Sequence, residues 1–129
     1  MKKKNIILLA TFHFINLIVI ILYLYPGSIA GCIIYNDCNV QPQITGDYLV
    51  SSNHFYTFTF LTVFGLLAYH TKKMINILIK YLFFISILLE ISHTMIPNRA
   101  FEFPDLFGNI LGVIVVIIIF EVKDNYAKN

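Results

Sequence analysis

The chain contains 129 residues, of which 58% are hydrophobic and only 12% are charged, and its formal net charge is +2. Soluble domains contain about 45–50% apolar and about 25% charged residues, so this composition excludes an ordinary soluble fold and predicts one membrane-embedded domain over residues 1–129. Because the few basic residues form no stripe interleaved with aromatic side chains, nucleic acid is excluded as an expected partner.

The first predicted element is an apolar segment at about 6–25, preceded by lysines at positions 2–4. A helix needs about 20 residues to cross a hydrocarbon core of ~30 Å, so this segment is long enough for a transmembrane span. A signal peptide followed by a lipidated Cys32 is the alternative, since small residues precede that cysteine. The span is favoured because the segment exceeds the roughly 7–15 apolar residues of a signal peptide and carries His13 and Asn16. We expect these two side chains to hydrogen-bond to another helix.

An outer loop is predicted at about 26–53, and it contains both cysteines of the chain, Cys32 and Cys38. In an oxidising compartment the two thiols could close a small disulfide, although two unpaired thiols near the membrane fit the sequence equally well. Two cysteines are too few for a structural zinc site.

Three further apolar segments follow at about 49–69, 74–96 and 104–120. In lipid every backbone polar group must be satisfied within its own segment, so we predict helices despite the many β-branched residues. Polar residues interrupt the outer end of the 49–69 segment, and the last segment is the shortest. Together with 6–25 they predict an all-α membrane protein, a four-transmembrane-helix antiparallel bundle.

The distribution of basic residues predicts that both termini lie in the cytoplasm. Eight of the nine basic residues are lysines, and with four spans all eight fall on one side of the membrane. Cytoplasmic loops carry an excess of lysine and arginine, so this side is assigned to the cytoplasm. The only arginine, Arg99, falls on the opposite side together with several carboxylates.

Six polar residues near the predicted outer ends of the helices are the chief functional signal; they are His54, Glu90, His93, Arg99, Asp105 and Asn109. Glu90 and His93 are three residues apart and therefore share one helix face, and Asp105 and Asn109 share a face of the last helix. An ionisable group in a span costs roughly 2.5–3.5 kcal/mol at the bilayer centre. The convergence of six polar groups at one depth therefore favours a binding site.

Some of these residues also have structural explanations. Asp105 opens the last helix, where a carboxylate offsets the helix dipole. Glu90 and Arg99 could form an ion pair if the chain turns back between them. Gly108 and Gly112 form a small-xxx-small face, which predicts close packing of the last helix against a neighbour.

The polar residues also follow a recognisable order: Glu90-Ile-Ser-His93, then Pro97-Asn-Arg99, then Asp105-Leu-Phe-Gly-Asn109-Ile-Leu-Gly112. This order resembles the signature of the VanZ-like family of small bacterial membrane proteins, and His54-Phe55 resembles that family's histidine–phenylalanine pair. His93 stands where the family has glutamine. The resemblance covers about 53–118. It implies a multi-pass protein of the bacterial cytoplasmic (inner) membrane that contributes to the cell envelope, with a link to resistance against the glycopeptide teicoplanin.

The residues and the resemblance together predict a protein that binds or modulates an anionic envelope lipid or a lipid-linked glycan at the outer leaflet. The six polar residues would form the ligand-binding site, in which the fork of Arg99 suits a phosphate. Neither a metal nor a cofactor is expected, and the pattern favours a protein that is not an enzyme. The sequence leaves open whether the chain forms homo- or hetero-oligomers.

An intramembrane metal-dependent hydrolase or transferase acting on a lipid phosphate is the alternative. Glu90 and His93, with His54 and Asp105, would supply nitrogen and oxygen ligands for a divalent ion. Helix bundles that bind metals through such glutamate–histidine pairs combine several copies, whereas this chain has one. The alternative is therefore less expected than lipid binding.

Overall fold

The computed structural model describes residues 3–126, which form helices and loops without a β-strand. The helices are α1 (Lys3–Leu24), α2 (Ile29–Tyr35), α3 (Ser52–Ala68), α4 (Lys72–Ser92) and α5 (Phe103–Tyr126), and a 3-10 turn at His93–Met95 extends α4. The prediction of an all-α structure is confirmed for this part of the chain.

Within the described part of the chain, three segments are long and apolar enough to cross a membrane, and they are Asn5–Leu24, Lys72–Met95 and Phe103–Tyr126. These correspond to the predicted segments 6–25, 74–96 and 104–120. The remaining predicted segment, 49–69, contains α3, which is shorter at 17 residues. The helix begins at Ser52, and the residues before it belong to the loop. The loop residue Asp47 accepts a hydrogen bond from the Ser52 backbone N–H at 2.7 Å.

The outer surface of the helices is apolar. Large side chains such as Phe14, Phe84 and Ile119 are 64%, 63% and 62% exposed, respectively. Contiguous apolar surface of this kind is unfavourable in water, whereas lipid chains solvate it without cost. The exterior therefore supports a membrane protein, as the composition predicted.

The tightest packing in the molecule joins α3 to α5. A Cβ atom added to Gly112 would lie 2.5 Å from the Phe55 carbonyl oxygen, and one added to Gly108 would lie 2.7 Å from the Ser51 carbonyl oxygen. Only glycine allows the two backbones to approach so closely. The predicted role of these glycines in helix packing is confirmed, and the contact brings the first turns of α3 and α5 together.

His13 and Asn16, two polar residues near the middle of α1, contact tyrosines of the neighbouring chain segments. Tyr81 of α4 donates a hydrogen bond to Asn16 Oδ1 at 2.8 Å, and the Tyr69 hydroxyl, just after α3, lies 3.3 Å from His13 Nε2. The expectation that His13 and Asn16 bond to other helices is confirmed.

The long loop between α1 and α3 is ordered by a disulfide and by polar contacts. Cys32 and Cys38 are joined in a disulfide, which decides between the two alternatives that the sequence left open. A disulfide-bonded Cys32 has no free thiol for lipidation. The Asn53 side chain donates to the Pro42 carbonyl at 2.7 Å and so holds the end of the loop against the start of α3.

Candidate functional site

The C-terminal ends of α1 and α4 meet the N-terminal ends of α3 and α5, and polar side chains fill the place where they meet. We call this group the polar cluster, and its members are Tyr23, His54, Glu90, His93, Asp105 and Asn109. Five of the six residues predicted from the sequence belong to it. The sixth, Arg99, lies beside it in a separate set of contacts.

His54 is at the centre of the polar cluster. It lies in the first turn of α3 and is 5% exposed. Its Nδ1 atom is 3.1 Å from Asn109 Oδ1, and its Nε2 atom is 3.3 Å from Asp105 Oδ2. Both partners are on α5, so the glycine contact between α3 and α5 is what brings them within reach.

Asn109 is fully buried, and its amide is oriented by two further partners. Its Nδ2 group donates to the Ser86 carbonyl at 3.2 Å, and its Oδ1 atom accepts a hydrogen bond from the Tyr23 hydroxyl at 2.7 Å. All of its polar atoms are therefore engaged within the protein. In this arrangement Asn109 positions His54.

Tyr23 is a member of the cluster that sequence reasoning missed. A tyrosine at the end of a span is typical of the aromatic belt at a membrane interface, so its position indicates nothing unusual. In the structure its ring stacks on His93 with 5.7 Å between ring centroids and packs edge-on against His54 at 5.0 Å. No local sequence signal distinguishes it from the other tyrosines.

Glu90 carries a fully buried carboxylate. Its Oε1 atom accepts a hydrogen bond from the Glu102 backbone N–H at 3.0 Å and lies 3.3 Å from His93 Nδ1. Its Oε2 atom has no hydrogen-bond partner among the described residues and is 3.8 Å from His54 Nδ1. Half of this carboxylate is thus left without a donor.

His93 is equally buried and bridges α4 to α1. Its Nε2 atom is 3.2 Å from the Tyr23 carbonyl oxygen, which can only accept a hydrogen bond. Nε2 therefore carries a proton, and the second ring nitrogen faces Glu90. The predicted sharing of one helix face by Glu90 and His93 brings them into contact.

Arg99 does not form the predicted ion pair with Glu90. Its Nε group donates to the Tyr25 carbonyl at 3.3 Å, and its Nη2 group donates to the Leu22 and Gly27 carbonyls at 3.1 and 2.6 Å. The last carbonyls of a helix lack intrahelical partners; Leu22 lies in the last turn of α1, and Tyr25 and Gly27 follow its end. The guanidinium group satisfies them, which is why it turns toward α1 rather than toward Glu90.

A cleft of about 330 Å³ adjoins the polar cluster. Its walls come from the end of α1, the disulfide-containing loop and the first turns of α3, and they include Tyr23, Asn53, His54, Thr57 and Arg99. Within residues 3–126, the Nη1 group of Arg99 donates no hydrogen bond. A fixed cation with one NH₂ group free of described acceptors therefore lines this cleft, beside a buried histidine.

Part of the polar cluster is also arranged like a metal-ligand set. His54, Glu90 and Asp105 each offer one ligand atom, and these three atoms lie within 4.8 Å of one another. His54 and Glu90 are buried, whereas Asp105 is partly exposed.

Comparison with known proteins returned no relatives of this chain. No protein-family model matches it, and no curated protein or solved structure matches it either.

Proposed function

We propose that this chain is a four-span protein of the bacterial cytoplasmic membrane whose cleft binds the anionic headgroup of an envelope lipid or lipid-linked glycan. The proposal rests on the hydrogen bonding of the Arg99 guanidinium group. Three backbone carbonyls hold its guanidinium in place at the wall of the cleft, while its Nη1 group has no acceptor among the described residues.

The proposed topology adds α3 to the three long segments as a further span, and it places both termini in the cytoplasm. At 17 residues α3 is at the lower end of the range of roughly 17–25 residues that cross a bilayer. The lysines then lie on the cytoplasmic side, and the cleft opens on the opposite side. Labelling of cysteines introduced at Lys72 and Asn98 tests this topology, because the two positions should be accessible from opposite sides.

The chemistry of the cleft suits a phosphate at the edge of the hydrocarbon region. The Nη1 group of Arg99 can donate charge-assisted hydrogen bonds to phosphate oxygens, and such bonds are strengthened where water is scarce. Asn53, Thr57 and Gln41 add neutral polar groups that suit sugar hydroxyls. The adjoining apolar helix surfaces would accommodate the acyl or prenyl chains of the same ligand.

The resemblance to VanZ-like proteins remains a prediction, and the suggested link to teicoplanin resistance rests on it. The structure adds a physical reason to treat the resembling residues as one unit, because the glutamate, aspartate, asparagine and histidine of the pattern are all members of the polar cluster. A role in the cell envelope would require the ligand to be a lipid of the outer leaflet.

Retention of phosphatidylglycerol tests the proposal directly. The protein is reconstituted in nanodiscs of phosphatidylglycerol and phosphatidylcholine, released, and analysed by native mass spectrometry for bound lipid. Arg99→Lys keeps the charge, but a single ammonium group cannot satisfy the three carbonyls and also donate to a phosphate. We expect its retention of phosphatidylglycerol to fall roughly tenfold, the equivalent of one charge-assisted hydrogen bond.

Lys73→Ala is the matched control, because it removes a positive charge at the other end of α4. We expect this variant to retain phosphatidylglycerol as the unsubstituted protein does. Equal retention by Arg99→Lys, in protein whose thermal unfolding is unchanged, would show that Arg99 only terminates α1, and the proposal would fail.

A further inference from the structure

The hydrogen bonds of the polar cluster determine which nitrogen of His54 carries a proton. Asn109 Nδ2 donates to the Ser86 carbonyl, so the Asn109 Oδ1 atom must be the one that faces His54. An amide oxygen only accepts hydrogen bonds, and therefore His54 Nδ1 is the donor. In the neutral imidazole, Nε2 then carries a lone pair.

That lone pair points at a carboxylate. His54 Nε2 is 3.3 Å from Asp105 Oδ2, and two acceptors at this distance repel each other unless a cation lies between them. The cation is either a proton, carried by His54 or by Asp105, or a metal ion. The contact between α3 and α5 is thus incomplete without an added positive charge.

Glu90 of α4 also lacks a partner for part of its negative charge. Its Oε2 atom is fully buried without a hydrogen-bond partner among the described residues, although buried carboxylate oxygens are normally paired. This oxygen belongs to the carboxylate that lies within 4.8 Å of ligand atoms from His54 and Asp105. An unpartnered buried oxygen therefore lies beside His54, 3.8 Å from Nδ1, in the carboxylate that completes this set of three residues.

We propose that His54, Glu90 and Asp105 bind one divalent transition-metal ion, of the class of Zn²⁺ or Mn²⁺. Two carboxylates balance a charge of +2, and one imidazole with two carboxylates suits such ions. Ligands about 2.1 Å from a tetrahedral ion are about 3.4 Å apart, close to the 3.3 Å between His54 Nε2 and Asp105 Oδ2. This inference differs from the sequence-based expectation of no metal, and it does not depend on the proposed lipid binding.

The surroundings of the three ligands match those of metal sites. A ligand histidine usually donates its other N–H to a carbonyl or carboxylate, which orients the ring and selects the tautomer. His54 Nδ1 makes such a bond to Asn109, and Tyr23 in turn donates to the same amide oxygen. Three protein ligands leave a fourth position open, and the cleft that His54 lines would supply a water or an anion there.

The test measures binding of the metal alone. Protein with a tag free of histidine is purified in detergent, stripped with chelator, and titrated with Zn²⁺ and with Mn²⁺, with bound metal counted by elemental analysis. We expect one ion per chain, and we expect His54→Ala, Glu90→Gln and Asp105→Asn each to abolish stoichiometric binding. Asn109→Ala should weaken it by about 10–100-fold, because this residue orients a ligand without touching the ion.

Two controls separate this site from adventitious binding. His13→Ala and His70→Ala remove histidines that lie outside the polar cluster, and both variants should bind the ion as the unsubstituted protein does. Binding that persists in the ligand variants, or that disappears in the control variants, would overturn the proposal.

A measurement on the unsubstituted protein covers the case in which a ligand variant fails to fold. Electron spin echo spectra of the Mn²⁺-loaded protein should show coupling to one imidazole nitrogen. If the folded protein takes up neither ion, or if the spectra show no nitrogen, the missing charge is supplied by protons and the metal site does not exist.

Discussion

Two sets of polar side chains lie among the apolar helices, and they differ in how their donors and acceptors match. His13 and Asn16 of α1 each meet one tyrosine hydroxyl, and no charged group takes part. The polar cluster instead combines two carboxylates with two imidazoles, and it leaves one buried carboxylate oxygen without a donor. The first set is complete as it stands and joins helices. The polar cluster lacks a donor for one buried carboxylate oxygen, which is expected of a site that binds a ligand or an ion.

The largest effect that would sharpen this comparison is expected from Glu90→Ala. Removing the carboxylate leaves the Glu102 N–H without its acceptor and deletes the group that contacts His93 and His54. Breaking one partner of a buried charged contact costs about 3–5 kcal/mol. We expect a loss of this size in unfolding measured in mixed micelles. His13→Ala is the comparison within α1 and should cost below about 1 kcal/mol, the usual value of a membrane hydrogen bond. Equal losses would remove the distinction between the two sets.

The second effect concerns the glycine contact that assembles the cluster. Gly112→Ala places a methyl group against the Phe55 carbonyl, and overpacking of this kind costs about 1–3 kcal/mol. We expect the same substitution to reduce binding at the cluster, because α3 and α5 must separate. Gly46→Ala is the control, since a Cβ atom there meets nothing within 4 Å. A Gly112→Ala protein of unchanged stability and binding would show that the close approach is not needed.

A smaller difference is expected between two tyrosine-to-phenylalanine substitutions. Tyr23→Phe removes the hydroxyl that holds Asn109 and so should cost about 1 kcal/mol. Tyr81→Phe removes the bond to Asn16 and should cost about 0.6 kcal/mol, the average for helix pairs in membranes. Beyond stability, only Tyr23→Phe should alter binding at the cluster. An effect of Tyr81→Phe on that binding would contradict the separation of the two sets.

The smallest effect is the coupling between Glu90 and Arg99. The sequence suggested an ion pair, whereas the structure places Arg99 on the carbonyls at the end of α1. We therefore expect the stability losses of Glu90→Gln and Arg99→Gln to add within about 0.3–0.5 kcal/mol in the double variant. If the double variant loses clearly less stability than the two single variants together, Glu90 and Arg99 do interact, and Arg99 then belongs to the polar cluster.

Hydropathy and residue order by themselves determined the class of this protein and the location of its unusual residues. A run of about 20 apolar residues needs a helix in lipid wherever it occurs, so the membrane character and the long helices could be predicted. The pairs Glu90–His93 and Asp105–Asn109 could be predicted as well, because spacing along one helix determines which side chains share a face.

Only the tertiary structure decided which of these groups meet. Tyr23 and Asn109 are 86 residues apart, and their contact depends on how α1 and α5 are rotated about their axes. The direction of Arg99 depends on where α1 ends, and the proton on His54 Nδ1 depends on an amide whose orientation is set by a third helix. Hydrophobic periodicity is too coarse to determine helix rotation, since lipid solvates every apolar face equally. Close packing of α3 against the glycines of α5 and the matching of donors to acceptors determine it instead.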